Sequence, residues 1–267
     1  MIGVIIRPIT AERIDFIVPA HNESATVAAV SIACLQAAEE IDKSCTVTVV
    51  ADHCSDDTKN RAESVGARVI ERKGTSPSKS QAVQEGIRST TGDIIALVDA
   101  DCVGLHAEHL AHLARPILMN EVALSVGVID YGDLLSPLVR RFPWSSGQRV
   151  IRRDTFDWED PRLGGYALEI VMDESIGLSG GSVYSTILTG VRHHNKYQKS
   201  SVTSGLRANW RMWRSIAMSM ENIDLDGLTA YFDSIRIRDA SDNINRPILP
   251  TAIGTVALKV GSKLFHT

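Results

Sequence analysis

Two carboxylates, Asp99 and Asp101, stand one residue apart at the end of a short apolar run, Ile94 to Val98. Carboxylate pairs of this kind suit a hard divalent cation, and Mg²⁺ commonly takes one or two carboxylates together with substrate phosphates. Side chains alternate along an extended chain, so positions two apart point the same way. The apolar run reads as a strand buried on both faces, and the carboxyl end of such a strand is where open α/β sheets bind ligands. An Asp-x-Asp pair is also common at an ordinary strand end before a turn. What surrounds the pair in the chain raises the metal reading.

The elements that must position these residues follow from hydrophobic patterning. Ile14 to Val18 predicts a first buried strand, breaking at Pro19, and Thr26 to Glu40 an Ala-rich helix capped by Asn22 or Ser24. Thr46 to Val50 predicts a second strand, and Thr58 to Val65 a helix stopped at Gly66. A short strand over Ala67 to Ile70 precedes a polar loop and a helix from Lys79 to Ser89, after which comes the strand ending in Asp99. Alternating strands and helices in short units predict an α/β fold with a mostly parallel sheet flanked by helices. Farther on, helices are expected over His106–Met119 and Tyr166–Met172, and strands over Val122–Ile129 and Val183–Val191. The stretch from Tyr131 to Arg162 reads as irregular, interrupted by Pro137, Pro143 and Pro161 and rich in Arg. A helix over Gly205–Met220 carries Trp210, Trp213 and Ile216 at core-like spacing.

Composition narrows the function classes. With 267 residues, 44% hydrophobic and 22% charged, the chain can bury a sizeable core. A net charge of −4 gives no electrostatic reason to expect nucleic acid or an anionic membrane as partner. Cys34, Cys45, Cys54 and Cys102 show no CxxC pairing, which argues for reduced thiols and a cytoplasmic protein. The first residues make a poor signal peptide, and no run approaches the roughly 20 apolar residues of a membrane span.

Four fragments occur in order at suitable spacing: Ile17-Val-Pro-Ala-His-Asn-Glu23, Val49-Val-Ala-Asp-His-Cys-Ser-Asp-Asp-Thr58, Lys79 in Ser-Lys-Ser-Gln-Ala, and Val98-Asp-Ala-Asp101. Together they resemble the nucleotide-binding half of family 2 glycosyltransferases of GT-A fold, over roughly residues 14 to 105. The resemblance implies a nucleotide-diphosphate sugar donor, a UDP- or GDP-linked hexose, and a divalent cation, Mg²⁺ or Mn²⁺, held by the Asp-x-Asp motif. Gly165-Tyr-Ala-Leu-Glu-Ile-Val-Met172 and Thr189-Gly-Val-Arg-His-His-Asn195 further resemble the second half of glucosyl-3-phosphoglycerate synthases. That likeness implies that Glu169 lines the acceptor site and that His194, with His193 as fallback, completes the metal site. The Gly-rich, Arg-containing loop that holds the acceptor phosphate in those enzymes has no clear counterpart between Tyr131 and Gly147.

By the same resemblance Pro19, Ala20, Asn22 and Glu23 form the nucleoside wall, with Ala100 and Asp99 beside the donor. Asp101 is a direct metal ligand, and Asp99 reaches the ribose or the metal. Asp52 ends the second strand, placed to hydrogen-bond an N–H of a base such as uracil. Lys79 supplies a fixed positive charge near base or phosphates. Plainer readings stand beside these: Glu23 as a first-turn acid, Asp52 as a turn residue, Glu169 as a buried structural acid, and His194 as a surface histidine. Asp56 and Asp57 fit a helix start better than a ligand set. Arg140, Arg141, Arg149, Arg152 and Arg153 could meet an acidic acceptor through bidentate contacts or form a solvated face.

The lead expectation is a metal-dependent glycosyltransferase acting on a small soluble acceptor, acidic or phosphorylated acceptors included. The catalytic unit is expected over 14–204, with 14–105 binding the nucleotide sugar and 106–204 completing acceptor and metal sites. Residues 205–267 would be a helical extension serving packing or homodimerisation. The alternatives are a sugar nucleotidyltransferase, which normally opens with a Gly-rich phosphate loop unlike Pro-Ala-His-Asn-Glu, and a catalytically weak homologue retained for binding or assembly.

Overall fold

The computed structural model describes residues 13–41, 43–132, 140, 143, 146–164, 167–194 and 223–237. Its first half alternates strand and helix: β1 (Arg13–Ala20), α1 (Val27–Glu40), β2 (Ser44–Asp52), α2 (Thr58–Ser64), β3 (Arg68–Arg72), α3 (Lys79–Arg88) and β4 (Ile94–Leu97). There follow β5 (Cys102–Val103), α4 (Ala107–Leu118), β6 (Leu124–Ile129), β7 (Gln148–Arg152), α5 (Leu168–Leu178), β8 (Val183–Leu188), β9 (Arg192–His193), α6 (Leu225–Ser234) and β10 (Ile235–Ile237). The main sheet has eight strands in the order β3-β2-β1-β4-β7-β6-β8-β10. Only β7 runs against its neighbours, β4 and β6; every other pair is parallel.

The order turns round at β1. The chain builds outward through β2 and β3, then returns to lay β4 on the opposite side of β1. At such a reversal the loops leaving the two strands diverge, which opens a crevice at their carboxyl ends. Pro19–Glu23 leaves β1 there, and Asp99–Asp101 leaves β4.

Strand alternation divides the core between the two faces of the sheet. Ile14, Phe16 and Val18, with Ile94, Ala96 and Val98, pack in one cluster with Val30 and Ala37 of α1 and Leu110 and Leu113 of α4. Ile17, Ile95 and Leu97 face the other way, among Ala82 and Val83 of α3 and Val171 and Met172 of α5. A charge sits in that second face at Asp15, fully buried, and it is satisfied: Gly92 N–H donates to it at 2.5 Å and Arg153 approaches at 3.3 Å.

Several elements differ from the sequence expectation. β1 continues through Pro19 to Ala20, pairing Pro19 with Val50 of β2. A residue's N–H and C=O point to the same side of a strand, and Ile17 C=O accepts from Val98 N–H on the β4 side. Position 19 therefore turns its missing N–H toward that side, where the register with β4 ends, and its pairing with β2 continues. The first helix begins after Thr26, with neither Asn22 nor Ser24 as its cap. Within the stretch read as irregular lies β7, whose sequence QRVIR hides a strand because Arg149 points into the core. The described part of the segment after 205 adds α6 against α5 and β10 beside β8, so it extends the main sheet as well as its helical layer. The helix expected over Gly205–Met220, with Trp210 and Trp213, lies outside the described residues.

Candidate active site

At the carboxyl end of β4 the side chains of four elements meet. Lys79, the first residue of α3, places its ammonium 2.6 Å from Asp99 Oδ1 and 2.7 Å from Glu169 Oε1, near the start of α5. Burial works against the ammonium, but the two carboxylates outweigh it and raise its pKa above the ordinary lysine value. Lys79 therefore stays charged and ties a carboxylate of the first half of the chain to one of the second. The other oxygen of Asp99 accepts from Gln148 Nε2 at 3.1 Å. Beneath it, a Cβ at Gly147 would overlap the Asp99 carboxylate, so only glycine lets the backbone lie this close. Asp99 is thus held from several sides.

Asp101 is placed differently. Its Oδ1 lies 3.1 Å from His193 Nδ1, and the two side chains keep 22% and 42% of their surface exposed. The hydrogen bond to Asp101 raises the His193 pKa against the opposing effect of burial. The small ladder of β5 and β9 creates the contact by pairing Cys102 with His193. His194 meets Asp101 through the backbone, its N–H donating to the Asp101 carbonyl at 2.7 Å. On this geometry His193, the fallback, is the imidazole set against Asp101, and His194, the first expectation, stands next to it in the chain.

Among the described residues one group of three side chains could hold a metal ion, Asp101, Cys102 and His193, with ligand atoms within 4.8 Å of one another. The thiol is the poorest member: burial pushes its pKa well up, and Gln148 Nε2 donates to Sγ at 3.1 Å. A carboxylate and an imidazole open to solvent fit Mn²⁺, and with substrate oxygens Mg²⁺.

The expected nucleoside wall is a pair of interlocked loops. Asn22 adopts φ 57°, and its Oδ1 accepts from Ser55 N–H at 2.8 Å. Glu23 is buried, and its N–H donates to Thr58 Oγ1 at 2.8 Å. Ser24 N–H donates to Asp56 at 3.0 Å, and Asp57 is the N-cap residue of α2, so this acidic pair serves loop and helix. Asp52 is more committed than expected. Its Oδ1 accepts from Arg72 at 2.5 Å and His53 at 2.8 Å, and its Oδ2 from Ser78 N–H at 2.6 Å. Burial would push its carboxyl up, but these hydrogen bonds hold it below the ordinary value. With three of about four acceptor positions taken, Asp52 chiefly anchors the loop before α3, and a base contact is left one lone pair.

The arginines considered for an acidic acceptor divide. Arg149 is buried against Asp173, Arg153 binds the Gly92 and Ile87 carbonyls and Asp15, and Arg152 pairs with Asp154 at the surface. Arg141 lies outside the described residues. Sequence reasoning missed Gln148 and Gly147 altogether. They lie in the stretch without readable periodicity, and only the antiparallel course of β7 brings them to Asp99.

A mostly parallel sheet reversing at β1 and flanked by helices, with an Asp-x-Asp pair at its carboxyl end, is the α/β architecture called the GT-A fold. Comparison with known proteins carries this further: the family model described as glycosyl transferase family 2 matches residues 15–167, and the chain belongs to that family. Among curated relatives, glucosyl-3-phosphoglycerate synthase of Mycobacterium tuberculosis is 33% identical over 117 residues, covering 40% of this chain and 35% of the relative. The enzyme of that name from Mycolicibacterium paratuberculosis is 31% identical over 117 residues, covering 40% and 34%. The match thus spans about a third of the length of these relatives. Among solved structures, glucosyl-3-phosphoglycerate synthase from M. tuberculosis in complex with phosphoglyceric acid superposes with a TM-score of 0.62 and 24% identity, covering 79% of each chain. The same synthase with Mn²⁺, uridine-diphosphate-glucose and phosphoglyceric acid gives 0.60 and 22%, covering 80% of this chain and 82% of that one. At these identities the superpositions establish the fold. Among the described residues no helix is long and apolar enough to cross a membrane.

Proposed function

We propose that this protein is a divalent-metal-dependent glycosyltransferase that moves a hexose from a nucleoside-diphosphate sugar to a small acceptor. The observation that carries the reading is the Lys79 bridge from Asp99 to Glu169, with Asp101 and His193 alongside. The donor is a UDP-linked hexose, in keeping with the uridine-diphosphate-glucose bound by the mycobacterial synthase of the same fold. The acceptor class is small and phosphorylated or acidic, by analogy with the phosphoglyceric acid and glycerol 3-phosphate held by that synthase.

Asp101 and His193 would hold Mn²⁺ or Mg²⁺. Such an ion, when bound, offsets the charge that builds on a departing diphosphate. The protein's own groups do the rest. Lys79 places a permanent cation at the same end of β4, a fixed charge of the kind that stabilises a transition state without rearrangement. Its second bond holds Glu169 where that carboxylate can orient the acceptor hydroxyl. Asp99, pinned by Lys79 and Gln148, acts as the orienting member of its pair and meets the donor's ribose. Pro19, Ala20, Asn22 and Glu23, with Ala100, line the donor side.

The test is thermal stability with UDP, GDP, ADP and dTDP, each with and without Mn²⁺ or Mg²⁺, on the wild type and Asp101→Ala. A ligand selective for the folded state stabilises by roughly 2.7 kcal/mol at a hundredfold excess over its Kd. A metal-dependent shift with UDP, lost in the variant, is expected. The absence of a shift with every nucleotide would overturn the reading.

A further inference from the structure

His53 follows the last residue of β2 in a left-handed conformation, φ 52°, which turns its ring back over Asp52. Its Nδ1 lies 2.8 Å from Asp52 Oδ1 and its Nε2 lies 2.6 Å from the Gly74 carbonyl. Both partners can only accept: one is a carboxylate that also takes bonds from Arg72 and Ser78, the other a backbone oxygen. A neutral imidazole has one N–H and one lone pair, so it can satisfy either partner but not both. The two contacts together require the imidazolium.

The segment so held matters to the site. Lys73–Ser78 connects β3 to α3; Ser78 is the N-cap of α3, its hydroxyl accepting from Gln81 N–H. The next residue is Lys79, which bridges Asp99 and Glu169. Asp52 binds Ser78 N–H at one end of this segment, and His53 binds the Gly74 carbonyl near the other. On the opposite side His21 Nδ1 meets the Asp52 carbonyl at 2.7 Å, so the cluster also abuts the loop leaving β1.

We propose that His53 is a positioning residue: as an imidazolium it cross-links Asp52 to Gly74 and thereby holds the loop before Lys79 against the nucleoside side of the site. The groups facing it are Asp52 from β2, Arg72 from β3 and the Gly74 carbonyl, with His21 beyond Asp52. The hydrogen bond to Asp52, followed by that to Gly74, raises the His53 pKa, while burial and Arg72 oppose the rise. A pKa raised by folding means that the cross-link is complete below the unfolded histidine value and is lost as pH rises through the folded one. The neutral ring keeps its bond to Asp52 and turns a lone pair on the Gly74 carbonyl, so the loop opens from the Gly74 end. Only the consequence for donor binding, a weaker Kd at higher pH, rests on the glycosyltransferase reading.

The experiment uses the full chain without ligand, from pH 5.5 to 8.5. Imidazole ¹⁵N spectra, with His53 assigned from its absence in His53→Gln, report the ring; hydrogen exchange of the Ser78 amide, corrected for intrinsic rates, reports the loop. The expected result is both ring nitrogens protonated at pH 6, a midpoint above the ordinary histidine value, and Ser78 protection that falls by up to about tenfold per pH unit between the ordinary value and that midpoint and is level above it. His53→Gln should show low, pH-independent protection, and His53→Arg, which keeps two N–H donors throughout, high and pH-independent protection. A single protonated nitrogen at pH 6, or a Ser78 profile in His53→Gln that matches the wild type, overturns the proposal. Titration with UDP and Mn²⁺ then separates the two readings. A Kd rising above the His53 midpoint in wild type but level in His53→Gln supports the cross-link's role at the donor site. Absence of UDP binding beside the expected ring and loop behaviour sinks the donor assignment and leaves the cross-link standing.

Discussion

Replacing Arg149 by Met should be among the most damaging single changes in the described core, and the damage should grow with pH. Arg149 and Asp173 are both fully buried and joined through two pairs of atoms. Arg149 also donates to the Ser146 carbonyl at 2.7 Å and lies 3.4 Å from the carbonyls of Glu169 and Pro143. Met fills much of the same volume but leaves the Asp173 carboxylate in apolar surroundings. Breaking one side of a buried pair typically costs about 3–5 kcal/mol. In a domain of this size each kcal/mol lowers Tm by about 2–4 °C, so a fall of roughly 6–20 °C is expected. Burial already pushes the Asp173 carboxyl up, with Arg149 pulling it back; without Arg149 the folded pKa climbs further. A carboxyl raised above its unfolded value loses stability as pH rises toward the folded pKa, at about 1.4 kcal/mol per unit. Urea unfolding at pH 5 and pH 8 measures both effects, and Arg149→Met with Asp173→Asn should recover most of the pH 8 loss. A single variant within about 1 kcal/mol of wild type at both pH values would refute the reasoning, because an unpaired buried carboxylate costs more than that.

The site residues give sharper readouts of function. Lys79→Met removes the cation shared by Asp99 and Glu169 and should lower turnover by about 10²-fold or more; it also leaves two carboxylates facing each other, so its stability should fall with rising pH relative to wild type. His193→Ala should raise the Mn²⁺ concentration for half-saturation by about 10–100-fold, since even outer-sphere partners of a metal contribute that much, whereas His194→Ala should leave it near the wild-type value; manganese titration followed by EPR distinguishes them. Gly177→Ala would drive a methyl group into the Gly227 carbonyl where α5 meets α6. Overpacking of this kind costs about 1–3 kcal/mol, and denaturant unfolding should show at least the upper part of that range.

The parallel half of the sheet was legible because its strands are short apolar runs ending in polar loops, and each run needs only itself to be recognised. Asp99 and Asp101 were legible because they follow such a run, whereas Lys79, which opens a helix, was picked out only by the resemblance of its fragment to the glycosyltransferase pattern. What escaped was determined by partners distant in sequence. β7 carries Gln148, Arg149 and Arg152, so its pattern denies a strand until Asp173, 24 residues farther on, is placed opposite Arg149. Pro19 stays in β1 because its missing N–H faces the side where the register with β4 ends while β2 still pairs on the other, which no local pattern reports. Asp52 was picked out because it ends a strand, but its bonds to Arg72, His53 and Ser78 could not be foreseen, since only the fold brings those three donors together.

The antiparallel strand explains how side chains from the two halves of the chain meet in one cluster. β1 to β4 supply Lys79, Asp99 and Asp101 from the switch point, but a parallel sheet alone would carry the chain away from it after β4. β7 re-enters beside β4 in the reverse direction, so its beginning, rather than its end, lies next to the carboxyl end of β4. This sets Gly147 and Gln148 on Asp99 and directs Arg149 beneath α5, where the guanidinium binds Asp173 one helical turn after Glu169. Glu169 is consequently located twice, from below through Arg149 and its own helix, and from the donor side through Lys79. Loss of either support should shift Glu169 relative to Asp101, so acceptor turnover should suffer from core substitutions at Arg149 even at pH 5, where the chain remains folded and nucleotide binding persists.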